Sequence, residues 1–340
     1  MQSSRMGLRR FGVGLAVMAI VLSACKASAP GASSATSSQP AASGPASSVA
    51  ASGPPAPGSA GTVNLAVNPW VGYEADAAVV SYILAHNLGY TVNKKNIVEQ
   101  VSWQGFGTGE VDAIVENWGH EDLKKQYIDD QKVAVRVGST GRQGIIGWFI
   151  PQWMADKYPD ITTATNLNKY ADLFKTSESG DKGQLLDGDP SYVTNDVALV
   201  KNLSLNFKVV QGGSEATLIT SLQQAQTQQK ALLAYFYSPQ WALHDLKLAH
   251  VNLPAYTPGC DTDPKKVACE YPPYDLDKIA SKKFADANST AYQFIKNFQW
   301  TNDDQNIVAG YIARDGMTDD DAAKKWVDAN PDKVAAWLPK

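Results

Sequence analysis

The chain has 340 residues, a formal net charge of −4 at pH 7 and a pI of about 5.6. This balance supplies no basic stripe of the kind that nucleic-acid binding requires, so we expect no nucleic-acid partner. Aromatic residues are prominent, with nine Trp and fourteen Tyr.

The first 25 residues have the pattern of an export signal. Residues 1–10 carry three arginines and no acidic residue, and residues 11–22 form an apolar run. A basic start, a short apolar stretch and small residues before the cleavage point are typical of a secretory signal. The run is too short to cross a bilayer core of about 30 Å as a helix. We therefore expect an extracytoplasmic protein.

The signal ends in Leu22-Ser23-Ala24-Cys25, which is similar to the lipobox of bacterial lipoproteins. The resemblance implies cleavage before Cys25 and attachment of diacylglycerol to its sulfur, which would anchor the protein to the cell membrane. Each buried CH₂ contributes about 0.8 kcal/mol, so several acyl chains hold a soluble domain at a membrane. The alternative is an ordinary cleavage site followed by a chance cysteine.

Residues 26–61 consist almost entirely of Ala, Ser, Pro and Gly. Such a segment buries too little apolar surface to offset its chain entropy, which predicts a disordered tether. The tether would hold the folded part away from the membrane.

From residue 62 onward, strand-like and helix-like segments alternate, which predicts an α/β fold with largely parallel sheets. Strands are predicted at residues 63–67, 112–116, 133–137, 144–150, 183–186, 207–210 and 231–237. Helices are predicted around residues 79–84, at 194–203, from Ser214 as N-cap to 229, and throughout the last sixty residues, where Thr318 and Asp321 form a capping signal. The glycine-rich residues 105–109 indicate a turn.

A folded part of this length favours two lobes over a single core. We expect residues 62–142 together with 254–340 to form lobe 1, and residues 143–253 to form lobe 2. Cys260 and Cys269 lie close together in a turn-rich stretch, which in an oxidising compartment indicates a local disulfide. A metal site is disfavoured there by the spacing and by the lack of nearby histidines.

The sequence has no motif of a hydrolase, metalloprotease, phosphate-binding loop or dinucleotide fold. The histidines, at positions 86, 120, 244 and 250, are predicted to be non-catalytic. We therefore expect no enzyme activity, no cofactor and no bound metal.

Aromatic residues follow the predicted strands at several points. Trp70 and Trp118 come directly after strands, Tyr192 lies in a loop before a helix, and Tyr237 ends a strand. Ligands of open α/β sheets bind at the carboxyl ends of the strands, so these residues are expected to converge between the lobes. Aromatic faces attract a cation that has no hydrogen to donate, and cages of such rings recognise choline-like head groups.

Three further motifs resemble the glycine betaine, proline betaine and choline binding proteins of ABC importers. They are Asp112-Ala113-Ile114-Val115-Glu116-Asn117-Trp118, Gly213-Ser214-Glu215-Ala216 and Tyr235-Phe236-Tyr237-Ser238-Pro239-Gln240-Trp241. The similarity extends over residues 62–340. It implies a two-lobed periplasmic-binding-protein fold of type II with a ligand cleft between the lobes.

Transferred residue by residue, the resemblance makes Trp118, Tyr192 and Tyr237 walls of a box around a trimethylammonium group, with Trp70 as a fourth wall. Tyrosine stands at two positions that are commonly tryptophan in the family. The backbone N–H groups of Val193 and Thr194 would bind a ligand carboxylate at the start of a helix.

The resemblance implies a receptor for a quaternary-ammonium compatible solute, with glycine betaine first and choline, carnitine or proline betaine as alternatives. An acidic residue beside the cage would favour a plain cation, and Glu116, Asp189 and Glu74 are candidates for that role. The expected partners are ABC permease subunits, and the receptor is expected to be a monomer. The rival classes are a secreted enzyme on a two-lobed scaffold and a tethered structural or adhesive protein.

Overall fold

The computed structural model describes residues 55–56 and 58–340. The predicted signal peptide, the lipidation site at Cys25 and the tether up to residue 54 lie outside the described residues. In the part that is described, no helix combines the length and the apolar character needed to cross a membrane.

Within residues 58–340, nine strands form a mixed sheet: β1 Gly61–Val67, β2 Tyr90–Asn96, β3 Ala113–Asn117, β4 Ala134–Pro151, β5 Gly183–Asp187, β6 Phe207–Gln211, β7 Leu233–Ser238, β8 Leu248–Val251 and β9 Tyr274–Ser281. Their order is β2-β1-β3-β9-β4-β7-β5-β6, with β8 paired to β4. β1 runs parallel to β2 and β3, and β5 runs parallel to β6 and β7. β9 is antiparallel to both of its neighbours.

The helices of the same part of the chain are α1 Val71–His86, α2 Glu99–Thr108, α3 Glu121–Lys124, α4 Gln152–Lys157, α5 Asp196–Asn202, α6 Glu215–Thr227, α7 Lys282–Ala287, α8 Thr290–Asn297, α9 Asn302–Ala313, α10 Asp319–Ala329 and α11 Pro331–Trp337. A π-helical turn covers Lys125–Asp130, and 3₁₀ segments cover Pro159–Thr162, Ala164–Phe174 and Trp241–His244. Ser214 caps α6 by accepting from the Thr217 N–H, and Thr318 caps α10 in the same way. The α/β prediction is confirmed, but the expectation of largely parallel sheets is wrong, because β4 and β9 pair only antiparallel with their neighbours.

Two hydrophobic cores organise these elements. The first core takes its buried residues from 63–137 and 279–337, and the second takes them from 146–271. Trp118, Tyr192 and Trp241 pack against both cores. We refer to the two halves as the first and second lobe.

The strands predicted at 133–137 and 144–150 form one continuous strand, β4. Its first part pairs with β9 and its last part pairs with β7 and β8, so β4 passes from one lobe into the other. Between the two predicted strands, the register with β9 shifts twice, and Gly138 and Gly141 have φ values of 127° and 83°. These glycines allow the ladder to continue through irregularities that in the sequence look like a loop.

The turn predicted at residues 105–109 is wrong, because residues 105–108 complete α2. A Cβ on Gly105 would lie 2.5 Å from Val111 Cγ2, so this glycine permits close packing of the helix against the chain that follows it. Gly109, with a φ of 80°, ends the helix in the left-handed conformation. The helix predicted from Thr194 starts two residues later, at Asp196.

Candidate functional site

A pocket between the two lobes brings together aromatic residues from four elements. Trp70 lies between β1 and α1, Trp118 follows β3, Tyr192 lies between β5 and α5, and Tyr237 belongs to β7. The pocket has a volume of about 450 Å³, including the part open to solvent. It is lined by Trp70, Glu99, Trp118, His120, Ile146, Tyr192, Val193, Tyr235, Tyr237 and Tyr274.

The rings meet mostly edge to face. The ring centroids of Trp70 and Tyr192 lie 5.9 Å apart at an interplanar angle of 84°, and those of Trp118 and Tyr237 lie 5.7 Å apart at 84°. Tyr192 and Tyr237 are 6.4 Å apart at 87°. Neighbouring rings are therefore nearly perpendicular to one another. We call this set of rings the aromatic cage.

Tyr235 and Tyr274 also line the pocket, and neither was predicted from the sequence. Tyr235 lies two residues before Tyr237 on β7, so the two side chains share one face of the strand. That period of two is a signal from which Tyr235 could have been found. Tyr274 begins β9, and its ring centroid lies 5.9 Å from that of Trp118. It reaches the site through long-range strand pairing, which no local pattern reveals.

Glycines make room for the cage rings. A Cβ on Gly144 would lie 2.4 Å from Cζ3 of Trp118, and one on Gly188 would lie 2.6 Å from Cδ2 of Tyr192. Real Cβ atoms are not found at such distances from neighbouring rings, so glycine is required where the rings approach the backbone.

Glu116 lies behind the cage and holds both indoles. Its Oε1 accepts hydrogen bonds from Nε1 of Trp70 at 2.7 Å and from Nε1 of Trp118 at 2.8 Å. Its Oε2 lies 3.0 Å from the Arg142 guanidinium, and both side chains are fully buried. Burial opposes the charged form, but Arg142 and the hydrogen bonds outweigh it, so the pKa of Glu116 is lowered. Glu116 is thus an anion that orients rings and does not line the pocket.

A second buried carboxylate, Glu215 of α6, joins the lobes. Its Oε2 accepts from the backbone N–H of Val71 at 2.8 Å, at the start of α1 in the first lobe. Its Oε1 accepts from the hydroxyl of Tyr237 and from Nε2 of Gln240. Burial raises the pKa of Glu215 in spite of these hydrogen bonds. Glu215 therefore connects a cage ring with the opposite lobe.

The remaining predicted acids lie elsewhere. Asp189 accepts from the N–H and the hydroxyl of Ser191 within its own loop. Glu74 faces a separate groove beside α1. Neither side chain lines the cage pocket.

His120 and Glu99 form an ion pair that lines the pocket. The pair was not predicted from the sequence. Nε2 of His120 lies 2.9 Å from Oε2 of Glu99, the first residue of α2, and both side chains are largely buried. Burial alone would lower the pKa of His120, but the attraction of Glu99 and the hydrogen bond to it raise the pKa. His120, predicted to be a surface or satisfied residue, thus lies in the site, with a φ of 53° after Gly119.

The loop that carries Tyr192 places Val193 and Thr194 differently. Val193 lines the pocket and is 56% exposed, whereas Thr194 does not line it. The hydroxyl of Thr194 donates to Oδ2 of Asp187 at 2.9 Å. Among the described residues, the backbone N–H groups of Val193 and Thr194 donate to no protein acceptor.

The chain matches the OpuAC family, described as the substrate-binding domain of an ABC-type glycine betaine transport system, over residues 61–329. The glycine betaine/carnitine transport binding protein GbuC of Listeria monocytogenes is 30% identical over 128 residues, 38% of each protein. The chain thus matches less than half the length of that relative. The trimethylamine N-oxide-binding protein of Pelagibacter ubique is 25% identical over 264 residues, 74% of this chain and 82% of that protein.

Solved structures with the same fold include lactococcal OpuAC in its closed, liganded conformation with glycine betaine. It has a TM-score of 0.65 and 20% identity, and the match covers 82% of this chain and 99% of that one. An ABC-transporter choline binding protein in complex with choline has a TM-score of 0.66 and 18% identity, and the match covers 83% and 92%. The predicted two-lobed binding-protein fold is confirmed. With its family match over most of the folded part, the chain belongs to the OpuAC family of ABC-transporter substrate-binding proteins.

Proposed function

We propose that this protein is the receptor of an ABC importer and that it captures a quaternary-ammonium solute in the aromatic cage. The observation that carries the proposal is the convergence of Trp70, Trp118, Tyr192 and Tyr237, with Tyr235 and Tyr274, on one pocket between the lobes. No Lys or Arg is among the described residues that line it. A cation without hydrogens to donate is suited to such a site, because ring faces attract positive charge and need no hydrogen bond in return.

The cage gains strength from its fixed geometry. Each ring face contributes about 0.5–2 kcal/mol to the binding of a desolvated cation. Glu116 fixes two indoles and Glu215 fixes the hydroxyl of Tyr237, so little side-chain entropy is lost when the ligand enters. Because both lobes supply rings, a bound cation favours the arrangement in which the lobes meet. That arrangement is the one we propose the permease recognises.

Two kinds of ligand are supported by different observations. Glycine betaine is supported by the description of the family and by the lactococcal structure in complex with it. Its carboxylate would be bound by the N–H groups of Val193 and Thr194, which have no protein acceptor among the described residues. A cation that carries a hydroxyl group, such as choline, is supported by the carboxylate of Glu99 in the pocket lining.

The remaining parts of the chain fit an exported receptor. We propose that Cys25 carries the lipid anchor, that residues 26–61 form the tether and that the receptor acts as a monomer. The disulfide between Cys260 and Cys269 in the second lobe is suited to an oxidising compartment.

Calorimetric titration tests the proposal. The purified protein is titrated with glycine betaine, proline betaine, choline, carnitine, trimethylamine N-oxide and tetramethylammonium. Trp118→Ala and Tyr237→Ala are each expected to weaken binding about 2- to 30-fold, the equivalent of one lost cation–π contact. Tyr82→Ala, which removes a half-buried ring on α1 outside the pocket, is the matched control and should bind as tightly as the unmodified protein. Unchanged affinity in both cage variants would refute the site.

A further inference from the structure

Glu99 lines the pocket and carries a hydrogen-bond acceptor that the described protein groups leave unused. Only 6% of the residue is exposed. Its Oε2 pairs with His120, whereas its Oε1 is buried and has no hydrogen-bond partner among the described residues. A buried acceptor without a partner loses the free energy of its hydration and gains nothing in exchange. A ligand that donates a hydrogen bond would remove this cost.

Among the described residues, no protein donor reaches Oε1 of Glu99, so this oxygen is left for a donor on a ligand. Burial is the main cause that raises the pKa of Tyr192 and of Tyr274, and the Glu99 carboxylate adds a small contribution to each. His120 fixes the other oxygen at 2.9 Å. With no Lys or Arg among the described lining residues, the side chain of the lining that could carry a positive charge towards a ligand carboxylate is His120, and Glu99 already pairs with it.

We propose that Glu99 is a specificity-determining residue whose free carboxylate oxygen accepts a hydrogen bond from the ligand, so that the pocket prefers a quaternary-ammonium alcohol to a zwitterionic betaine. His120 is the positioning residue that holds the carboxylate in place. The inference rests on the proposed function, since it assumes that the cage holds the ammonium group. A betaine would bring its own carboxylate towards Glu99, and like charges in a poorly hydrated site repel.

The first experiment needs no variant. Choline, its O-methyl ether, tetramethylammonium and glycine betaine are titrated into the unmodified protein by calorimetry. The ether keeps the cation and the oxygen but lacks the hydroxyl proton. Choline is expected to bind at least about tenfold more tightly than its ether, the usual effect of one hydrogen bond to a charged group. Equal affinities for the two, or tighter binding of glycine betaine than of choline, would overturn the inference.

The second experiment uses Glu99→Gln. The amide oxygen accepts from His120 and the amide nitrogen turns a donor towards the ligand, so choline should lose its advantage over the ether and glycine betaine should bind more tightly than before. Glu110→Gln, an exposed acid just after α2, is the control and should leave the ranking unchanged. A choline-to-ether ratio that Glu99→Gln leaves intact would also overturn the inference. If the variant does not fold, the titrations of choline and its ether into the unmodified protein still test the inference.

The experiments distinguish a failure of the proposed function from a failure of the inference about Glu99. If none of the compounds binds to the unmodified protein, including tetramethylammonium, the proposed function fails and the inference fails with it. If all of them bind without a ranking, the aromatic cage stands and the role of Glu99 is refuted.

Discussion

At the scale of single residues, the cage depends on groups that never touch the ligand space. Glu116 holds the edges of Trp70 and Trp118 from behind, and Arg142 balances its charge. Arg142 also lies 2.7 Å from Oδ2 of Asp76, and burial raises the pKa of Asp76 well above its usual range. One buried carboxylate, Glu116, therefore sets the orientation of two walls.

Gly144 tests how closely the backbone must approach the cage. In Gly144→Ala the new Cβ would overlap the Trp118 ring, which lies 2.4 Å from that position. We expect the ring to move, with a loss of about 1–3 kcal/mol in unfolding free energy, as for other overpacked sites, and a loss of ligand affinity within the range of about 2- to 30-fold expected for Trp118→Ala. Urea unfolding and calorimetry measure the two effects.

Gly107→Ala is the matched control, since a Cβ there meets nothing within 4 Å. Alanine in place of a glycine inside a helix should raise stability by about 0.5–1 kcal/mol and leave binding unchanged. Full affinity in Gly144→Ala would show that Trp118 does not need its present position.

The sequence led to Trp70, Trp118, Tyr192 and Tyr237 because each follows or ends a strand in a recognisable pattern. Glu99 and His120 carry no such pattern. One begins a helix and the other follows a glycine, and their pairing depends on the start of α2 lying beside the residues that follow β3. Only three-dimensional contacts assign them to the pocket.

At the scale of elements, the first residue of α5 is the buried acid Asp196, a few residues after Tyr192 in the chain. Oδ1 of Asp196 accepts from Nε1 of Trp148 at 2.8 Å and from the hydroxyl of Tyr271 at 2.6 Å. Burial, with a smaller contribution from Asp187, raises its pKa from 3.8 to about 7. The native state thus keeps a proton on Asp196 that the unfolded state releases at lower pH.

The raised pKa of Asp196 determines the direction in which the unfolding free energy changes with pH. Between about pH 4 and 7 the native state binds more protons than the unfolded state, so the contribution of Asp196 becomes less favourable as pH rises through that window. We expect Asp196→Asn to match the unmodified protein near pH 4 and to exceed its unfolding free energy near pH 8 by an amount on the order of a few kcal/mol. Urea unfolding at both pH values measures this.

Asp172→Asn, at an exposed position, is the control and should show no such difference between the two pH values. A stability gain from Asp196→Asn that is the same at pH 4 and pH 8 would contradict the assignment.

Elements with strong local signals were predicted well, and others were not. The strands β1, β5 and β6 were predicted to within a residue or two, whereas β2, with the sequence Tyr-Thr-Val-Asn-Lys-Lys-Asn, was missed. That strand is largely exposed, so its side chains lack the apolar alternation that the prediction used. Its place in the sheet comes from the parallel ladder with β1.

At the scale of the whole molecule, family membership and the α/β two-lobed fold are confirmed. The export signal, the lipid anchor and the lobe boundaries stay predictions. A sequence pattern predicts export, lipidation or a lobe boundary. Whether the N-terminus is cleaved and lipidated is a matter of chemical processing, which the fold of the described residues does not test.

Glu215 offers a test of communication between the lobes. Glu215→Ala removes the acceptor for the Val71 N–H in the other lobe and for the Tyr237 hydroxyl. We expect ligand affinity to fall at least tenfold, because the arrangement in which the lobes meet loses buried hydrogen bonds. Small-angle X-ray scattering during a ligand titration should show the unmodified protein contracting at a lower ligand concentration than the variant.

Gln223→Ala, at an exposed position on α6, serves as the control and should contract with the unmodified protein. If Glu215→Ala contracts at the same ligand concentration as both, the contact does not contribute to closure.

The position of β9 has a consequence for biogenesis. β9, residues 274–281, lies between β3 and β4 in the sheet. These two strands therefore have no pairing partner on the sides that face β9 until β9 is in place. An exported chain leaves the translocation channel from its N-terminus, and the whole second lobe emerges before the strand that completes the first sheet. If the predicted export signal is used, the first lobe would therefore expose the edges of β3 and β4 until β9 emerges, and such unpaired edges favour aggregation.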